Sequence, residues 1–411
     1  MRDVLIAGAG MTRFGKFMDR STRSLAEEAT VAALNDAATP VEEVGMVFFG
    51  NAASGLVTGQ EMIRGQAALR NTGLLGLPMV NVENACASAS TAVHLAWLAV
   101  SSGQVEVAIA LGAEKMTHED KQRTFEAIGA AVDLEELEDL EARVSDAGAE
   151  PESGSPMPMT AEAPPGTSRS FFMDVYSHMA RRYMEKSGAT PRDFAEVAVK
   201  NHAHGALNPK AQYQQEVTVE EVLESREISS PLTLMMCSPI GDGAAALVLC
   251  SEDYAQRVGA DAVRVLSSAL VSTREGDEVA AAERAAKRAY ELAGVGPEDL
   301  DVVELHDAAA PAELQIYEEL ELCAPGEGPE LLASGATRLG GRVPVNTSGG
   351  LLSKGHPIGA TGCGQLVELV DQLRGRANGR QVEGARVALA ENAGGFLGED
   401  NAAATVHILS E

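Results

Sequence analysis

The apolar positions of this chain fall into short continuous runs separated by helical patterns. Residues 4–9 form one such run and lead into Gly8-Ala9-Gly10, which reads as a strand entering a turn. A helical pattern follows over 24–37, then a second strand over 44–49. A third strand, 79–82, passes directly into Glu83-Asn84-Ala85-Cys86. The stretch 87–100 is small and apolar throughout, as in a buried helix, and 105–112 reads as a buried strand. Strands alternating with helices predict a mainly parallel sheet covered on both faces.

The same order of elements recurs later. The helix-to-strand passage through Pro40-Val41-Glu42-Glu43 has a counterpart in Pro297-Glu298-Asp299-Leu300, which leads to a strand ending near His306. Strand, turn, buried helix and strand over 79–112 are echoed by Val343-Pro344-Val345-Asn346, a glycine-rich turn, a helix over 364–373 and a strand over 386–389. A repeat of this length means a duplicated domain, because solenoid units run to only about 20–50 residues. Between the halves, 133–143 is acidic and helical in pattern, and 145–169 is rich in Gly, Pro, Ser and Glu. That stretch is either a surface loop or a lid over a substrate. The expected division is 1–117 for the first part of the N-terminal lobe, 118–198 for an inserted loop domain, 199–257 for completion of that lobe and 258–411 for the C-terminal lobe.

Composition narrows the classes. With 45% apolar residues, 41 Gly, 9 Phe and one Trp, the chain fits a tightly packed α/β protein. No apolar run nears the roughly 20 residues of a membrane span, and no secretory pattern opens the chain, so a cytoplasmic protein is expected. The formal charge of -28 excludes nucleic acid and anionic membranes as partners. A polyanionic ligand would need local positive charge or helix N-termini to offset that field. The five cysteines show no metal or redox spacing, and no metal is expected.

Four clusters could carry chemistry. Cys86 sits where a strand hands over to a buried helix, so the helix N-terminus is expected to favour its thiolate and to offer N–H groups to an oxyanion. A buried structural cysteine is the other reading. The loop 346–362 holds His356 among many glycines, including Gly355, and its backbone must turn tightly and approach something closely. The imidazole of His356 can accept a thiol proton. His306-Asp307 ends an apolar strand, where ligands of open sheets bind, unless the pair caps the next helix. Glu391-Asn392-Ala393-Gly394-Gly395 follows another strand and could expose N–H groups or form a plain turn. Asn346, Gly355 and Asn392 are candidates for a substrate-contacting loop.

Cys86-Ala87-Ser88, Gly355-His356-Pro357 and the duplicated halves resemble the thiolase superfamily. His306-Asp307, Lys200-Asn201-His202-Ala203-His204 and Cys237-Ser238-Pro239 leading into Gly241-Asp242-Gly243 are similar to its sterol-carrier-protein type members. The resemblance covers nearly the whole chain and implies the thiolase fold, two repeated α-β-α layered lobes in a homodimer or larger homo-oligomer. It implies that Cys86 carries the acyl group, His356 activates it, and His306 with His356 holds the thioester oxygen of a second substrate. The N–H groups of Cys86 and Gly394 would hold the acyl-enzyme oxygen. Coenzyme A would come and go as substrate and product, with no permanently bound cofactor. The resemblance also shows a departure. Condensing members carry a second acid/base cysteine at positions occupied here by Ala308 and Asn392, neither of which exchanges a proton at neutral pH. Three readings follow: an acyl-CoA acyltransferase acting on 3-ketoacyl-CoA, a carbon–carbon lyase or acyltransferase working beside a small OB-fold partner protein, or a non-catalytic acyl-CoA or lipid scaffold.

Overall fold

The computed structural model describes residues 2–138, 140 and 171–411. The candidate loop 145–169 and, of the acidic stretch 133–143, residues 139 and 141–143 lie outside the described residues. The strands are β1 (Val4–Met11), β2 (Met46–Gly50), β3 (Met79–Val82), β4 (Val107–Glu114), β5 (Glu227–Ser229), β6 (Leu232–Thr233), β7 (Gly243–Ser251), β8 (Val263–Ser272), β9 (Val302–Glu304), β10 (Val387–Leu397) and β11 (Asp400–Ser410). Nine of them join in the order β3-β2-β4-β7-β1-β8-β11-β10-β9, and β5 and β6 form a separate small pair.

The expected duplication is visible in the pairing. In the first half β4 runs parallel to β2 and antiparallel to β7, and β7 runs antiparallel to β1. In the second, β10 runs parallel to β9 and antiparallel to β11, and β11 runs antiparallel to β8. A parallel bridge from Val303 to Val345 stands where β3 pairs with β2. The halves touch through β1 and β8, where only Leu5 with Arg264 and Ile6 with Val263 are in register.

One expectation is corrected. The sheet is mixed, with antiparallel contacts in the majority among the described strands. Strands such as β4 and β7 are buried along their whole length, so their side chains carry no sign of strand direction.

Three apolar layers lie around the sheet. Alternate residues of β4 and β7 divide between two of them, with Ala108, Ala110, Leu247 and Leu249 facing the central layer and Ile109, Leu111, Ala246 and Val248 the outer one. In the second half β11 sends Val406 and Ile408 to the opposite outer layer. The central layer holds the helices Ser88–Ser101 and Thr361–Leu373, one from each half. They pack so closely that a Cβ on Gly362 would lie 2.6 Å from that of Ser90. This shared layer brings the Cys86 turn and the His356 loop to one place. The helix Phe171–Ser187 falls within the expected insertion 118–198 and the helix Pro191–Ala206 runs across its end, started by Pro191 and by Asp193, whose carboxylate accepts the Thr190 N–H at 2.7 Å. No described helix is long and apolar enough to cross a membrane.

Candidate active site

Cys86 is presented by a short turn, Ala85–Ala87, at the head of the helix Ser88–Ser101. Ala85 holds a left-handed φ of 46°, a conformation costly for a residue with a Cβ. Local bonds hold it there. The Ala85 N–H donates to the Glu83 carboxylate at 2.6 Å, the Ser88 hydroxyl to the Ala85 carbonyl at 2.6 Å, and the Asn84 N–H to the Ser88 hydroxyl at 3.0 Å.

His356 follows Gly355, whose φ of 108° only glycine adopts without strain. Its Nε2 lies 3.3 Å from the Cys86 sulfur and its Nδ1 lies 2.7 Å from the Thr361 hydroxyl. Because that hydroxyl donates its own proton to the Pro357 carbonyl at 3.2 Å, it can only accept from the ring. Nδ1 therefore carries the hydrogen, and the Nε2 lone pair faces the thiol. The loop is fixed from below by the buried carboxylate of Glu114, which accepts the N–H groups of Gly359, Ala52 and Ala53 at 3.1, 2.9 and 3.1 Å.

His306, just beyond β9, completes the cluster. Its ring centroid is 5.1 Å from that of His356, edge to face, and one ligand atom from each of Cys86, His306 and His356 lies within 4.8 Å of the others. The His306 N–H donates to the Glu391 carboxylate at 3.0 Å, while its ring Nε2 is buried with no hydrogen-bond partner among the described residues. Asp307 does not cap the helix that follows it. Its carboxylate accepts instead from Leu351 N–H at 2.7 Å and the Asn201 amide at 2.7 Å. Asn201 also donates to Glu313, which pairs with Lys200 at 2.8 Å in a fully buried ion pair.

Burial dominates the electrostatics. It pushes the Cys86 thiol up to about 12, with the Glu114 charge adding to the rise and the Gly395 N–H opposing it. Burial also lowers His306 to about 4 and takes His356 well below its ordinary value, with His306 and Lys354 contributing. Desolvation thus opposes the thiolate that the helix N-terminus was expected to favour, and it favours the neutral form of the sulfur and of both rings. The geometry suits proton transfer from thiol to Nε2 as the sulfur attacks.

The three side chains open into a cavity of about 1440 Å³. Its wall includes Gly394 and Gly395, Ala308, the apolar face of the helix Phe171–Ser187, and the basic residues Arg13, Lys16, Lys121 and Arg226. Those cations supply the local positive charge that an anionic ligand would need on so acidic a protein. Gly394 lies against the Cys86 turn, where a Cβ would sit 2.1 Å from the Asn84 carbonyl. Asn346, Gly355 and Asn392 do not line the cavity. Asn346 ties Leu305 to Glu313, accepting from Leu305 N–H at 2.9 Å and donating to the carboxylate at 2.9 Å. Asn392 accepts from Ser90 at 3.0 Å. Cys363 is buried in the central layer. Sequence reasoning missed Thr361 and Glu114. Thr361 carried a signal, standing five residues after His356 at the start of the next helix; Glu114 carried none.

Comparison with known proteins finds matches along nearly the whole chain. A family model for the thiolase N-terminal domain matches residues 4–253, and one described as thiolase C-terminal domain-like matches 264–411. The chain is similar to an acetyl-CoA acetyltransferase of Methanothermobacter thermautotrophicus, 38% identical over all of both chains. It is also 38% identical to the benzoylsuccinyl-CoA thiolase subunit BbsB of Thauera aromatica, over 96% of this chain and 95% of that one. Sterol carrier protein 2 of Homo sapiens is 36% identical over 96% of this chain and 70% of its own length. Among solved structures, a chain of an Ltp2-ChsH2(DUF35) aldolase superposes with a TM-score of 0.77 at 27% identity, covering 99% of this chain and 97% of that one.

Proposed function

The chain belongs to the thiolase family, and from that premise we propose that it is an acyl-CoA acyltransferase working through a thioester on Cys86. The observation that carries the assignment of residues is the 3.3 Å approach of the His356 Nε2 lone pair to the Cys86 sulfur. As the sulfur attacks a thioester or 3-ketone carbonyl, its proton passes to Nε2. The protonated ring gives that proton to the departing sulfur or carbon, and it and His306 face the oxygen of a second thioester. The N–H groups of Cys86 and of the Gly394-Gly395 turn serve the acyl-enzyme oxygen. Coenzyme A is substrate and product, and the basic wall of the cavity supports its phosphates as the anion held there.

A second reading, a carbon–carbon lyase assisted by a partner protein, is supported by the likeness to the Ltp2-ChsH2(DUF35) aldolase and by Ala308 and Asn392. A homodimer is part of the proposal. Among the described strands β3 is at an edge and pairs only with β2, and Val80 on it and Leu98 beyond it are exposed.

The test is intact mass after mixing with acetyl-CoA or acetoacetyl-CoA. An acyl adduct that Cys86→Ala abolishes and His356→Ala slows about a hundredfold is expected. An unmodified wild-type chain would favour the scaffold reading. An adduct that free coenzyme A fails to discharge would favour the partner-assisted one.

A further inference from the structure

Three segments far apart in sequence put a thiol and two imidazoles around one point. One ligand atom from each of Cys86, His306 and His356 lies within 4.8 Å of the other two, and His356 Nε2 is 3.3 Å from the Cys86 sulfur. Zinc binds nitrogen at about 2.0–2.1 Å and sulfur at about 2.3 Å, so a nitrogen and a sulfur on one tetrahedral ion stand about 3.6 Å apart. The Cys86–His356 pair is within a few tenths of an ångström of that separation, and no pair in the triangle has more than about 1.5 Å to close.

The ligands are also prepared. His356 Nδ1 gives its hydrogen to Thr361 at 2.7 Å, which leaves a lone pair on Nε2 and supplies the outer hydrogen bond that metal-binding histidines carry. His306 is held through its backbone N–H by Glu391 at 3.0 Å, and its Nε2 is buried with no hydrogen-bond partner among the described residues. A buried polar nitrogen without a partner is poised for a ligand atom. All three side chains line the cavity, which leaves a fourth position open to water.

We propose that Cys86, His306 and His356 form a three-ligand zinc site, and that zinc bound there switches the enzyme off. The binding stands on the geometry alone, whereas the loss of activity rests on the acyl-Cys86 reading above. Zinc accepts a lone pair from the sulfur and from each imidazole, the thiol proton leaves to solvent, and a water from the cavity completes the tetrahedron. No electron is transferred. The bound sulfur no longer attacks a thioester and Nε2 no longer takes a proton, so nucleophile and base are lost together. One thiolate and two imidazoles suit zinc and exclude magnesium and calcium, which take oxygen ligands. The formal charge of -28 favours a cation against the basic residues of the cavity wall. No spacing motif announces such a site, because its ligands come from the Cys86 turn, the end of β9 and the His356 loop.

The test uses the full chain freed of metal, with zinc binding read by equilibrium dialysis and cobalt(II) as an absorbing stand-in. Wild-type chain is expected to bind one zinc, to give with cobalt a thiolate charge-transfer band and the intense visible bands of a tetrahedral ion, and to ignore magnesium. Acetylation of Cys86 from acetyl-CoA, read by mass, should fall about tenfold or more with one equivalent of zinc and recover on chelation. His306→Ala should weaken zinc about a hundredfold, the upper cost of losing even an outer hydrogen-bond partner. Cys237→Ser, which alters a cavity thiol outside the triangle, should bind zinc as wild type does. Absence of zinc binding by the wild-type chain, or a cobalt spectrum without the thiolate band, overturns the proposal whatever the variants do. Zinc affinity unchanged in His306→Ala overturns it too, as does acetylation unimpaired by bound zinc. Wild-type chain that binds zinc but fails to acetylate without metal upholds the site and refutes the acyl-Cys86 reading, and the switch with it.

Discussion

Thr361 sets the direction in which His356 works. Its hydroxyl spends its only proton on Pro357 and accepts from Nδ1, which leaves Nε2 free for the thiol. Thr361→Val preserves shape but strands a buried N–H, a loss of about 1–2 kcal/mol, and frees the ring to adopt the other tautomer. Acylation of Cys86 should slow about tenfold with little change in substrate affinity, measured by single-turnover mass. The pH profile follows from the shifts. Acylation needs neutral His356, and burial keeps the imidazoles neutral below the ordinary value of 6.5, with His306 charging only near about 4. Lowered pKa values move the acid limb down, so the rate should stay level through pH 6.5 and fall only below it. A half-maximal fall at 6.5 would contradict this, as would a rise near the ordinary thiol value of 9.0, since Cys86 lies at about 12. The four reactive clusters were legible in the sequence because cysteine and histidine at strand ends stand out. The protonation state was not, because desolvation depends on what other segments bury the site.

Elements bring the pair together through close backbone approach. A Cβ on Gly112 of β4 would lie 2.2 Å from the Gly359 carbonyl and 2.6 Å from the Ala89 Cβ. The strand, the His356 loop and the Cys86 helix therefore meet at one glycine. Gly112→Ala should push the loop away, costing about 1–3 kcal/mol as overpacking does, and lower acylation by lengthening the contact between sulfur and ring. Urea unfolding and the acylation rate check it together; stability lost without activity lost would mean that the loop gives elsewhere. The turn-rich loop 346–362 was legible from its glycines, but its two anchors were not. Glu114 and the Lys200–Glu313 pair stand far away in sequence, and the buried partners make costly residues tolerable only once the chain is folded.

At the scale of the molecule, the open edge at β3 carries the expectation of a dimer. Val80 is exposed there, and an unpaired strand edge invites a second copy. The mass in solution should be twice the 42.9 kDa of one chain, and Val80→Asp should shift it toward one, as read by light scattering. A wild-type monomer would remove this part of the proposal. The repeat was legible because each half must bury similar helices and strands, and the order β1, β2, β4, β7 returns as β8, β9, β10, β11. Strand direction was not, since β4 and β7 are buried on both faces and show no alternation. By itself the sequence determined the α/β class, the duplication and the residues able to do chemistry, all properties of local pattern and side-chain type. Only the tertiary structure decided which of those residues meet, in which protonation state and in what cavity, because distance and desolvation arise between segments that the chain keeps hundreds of residues apart.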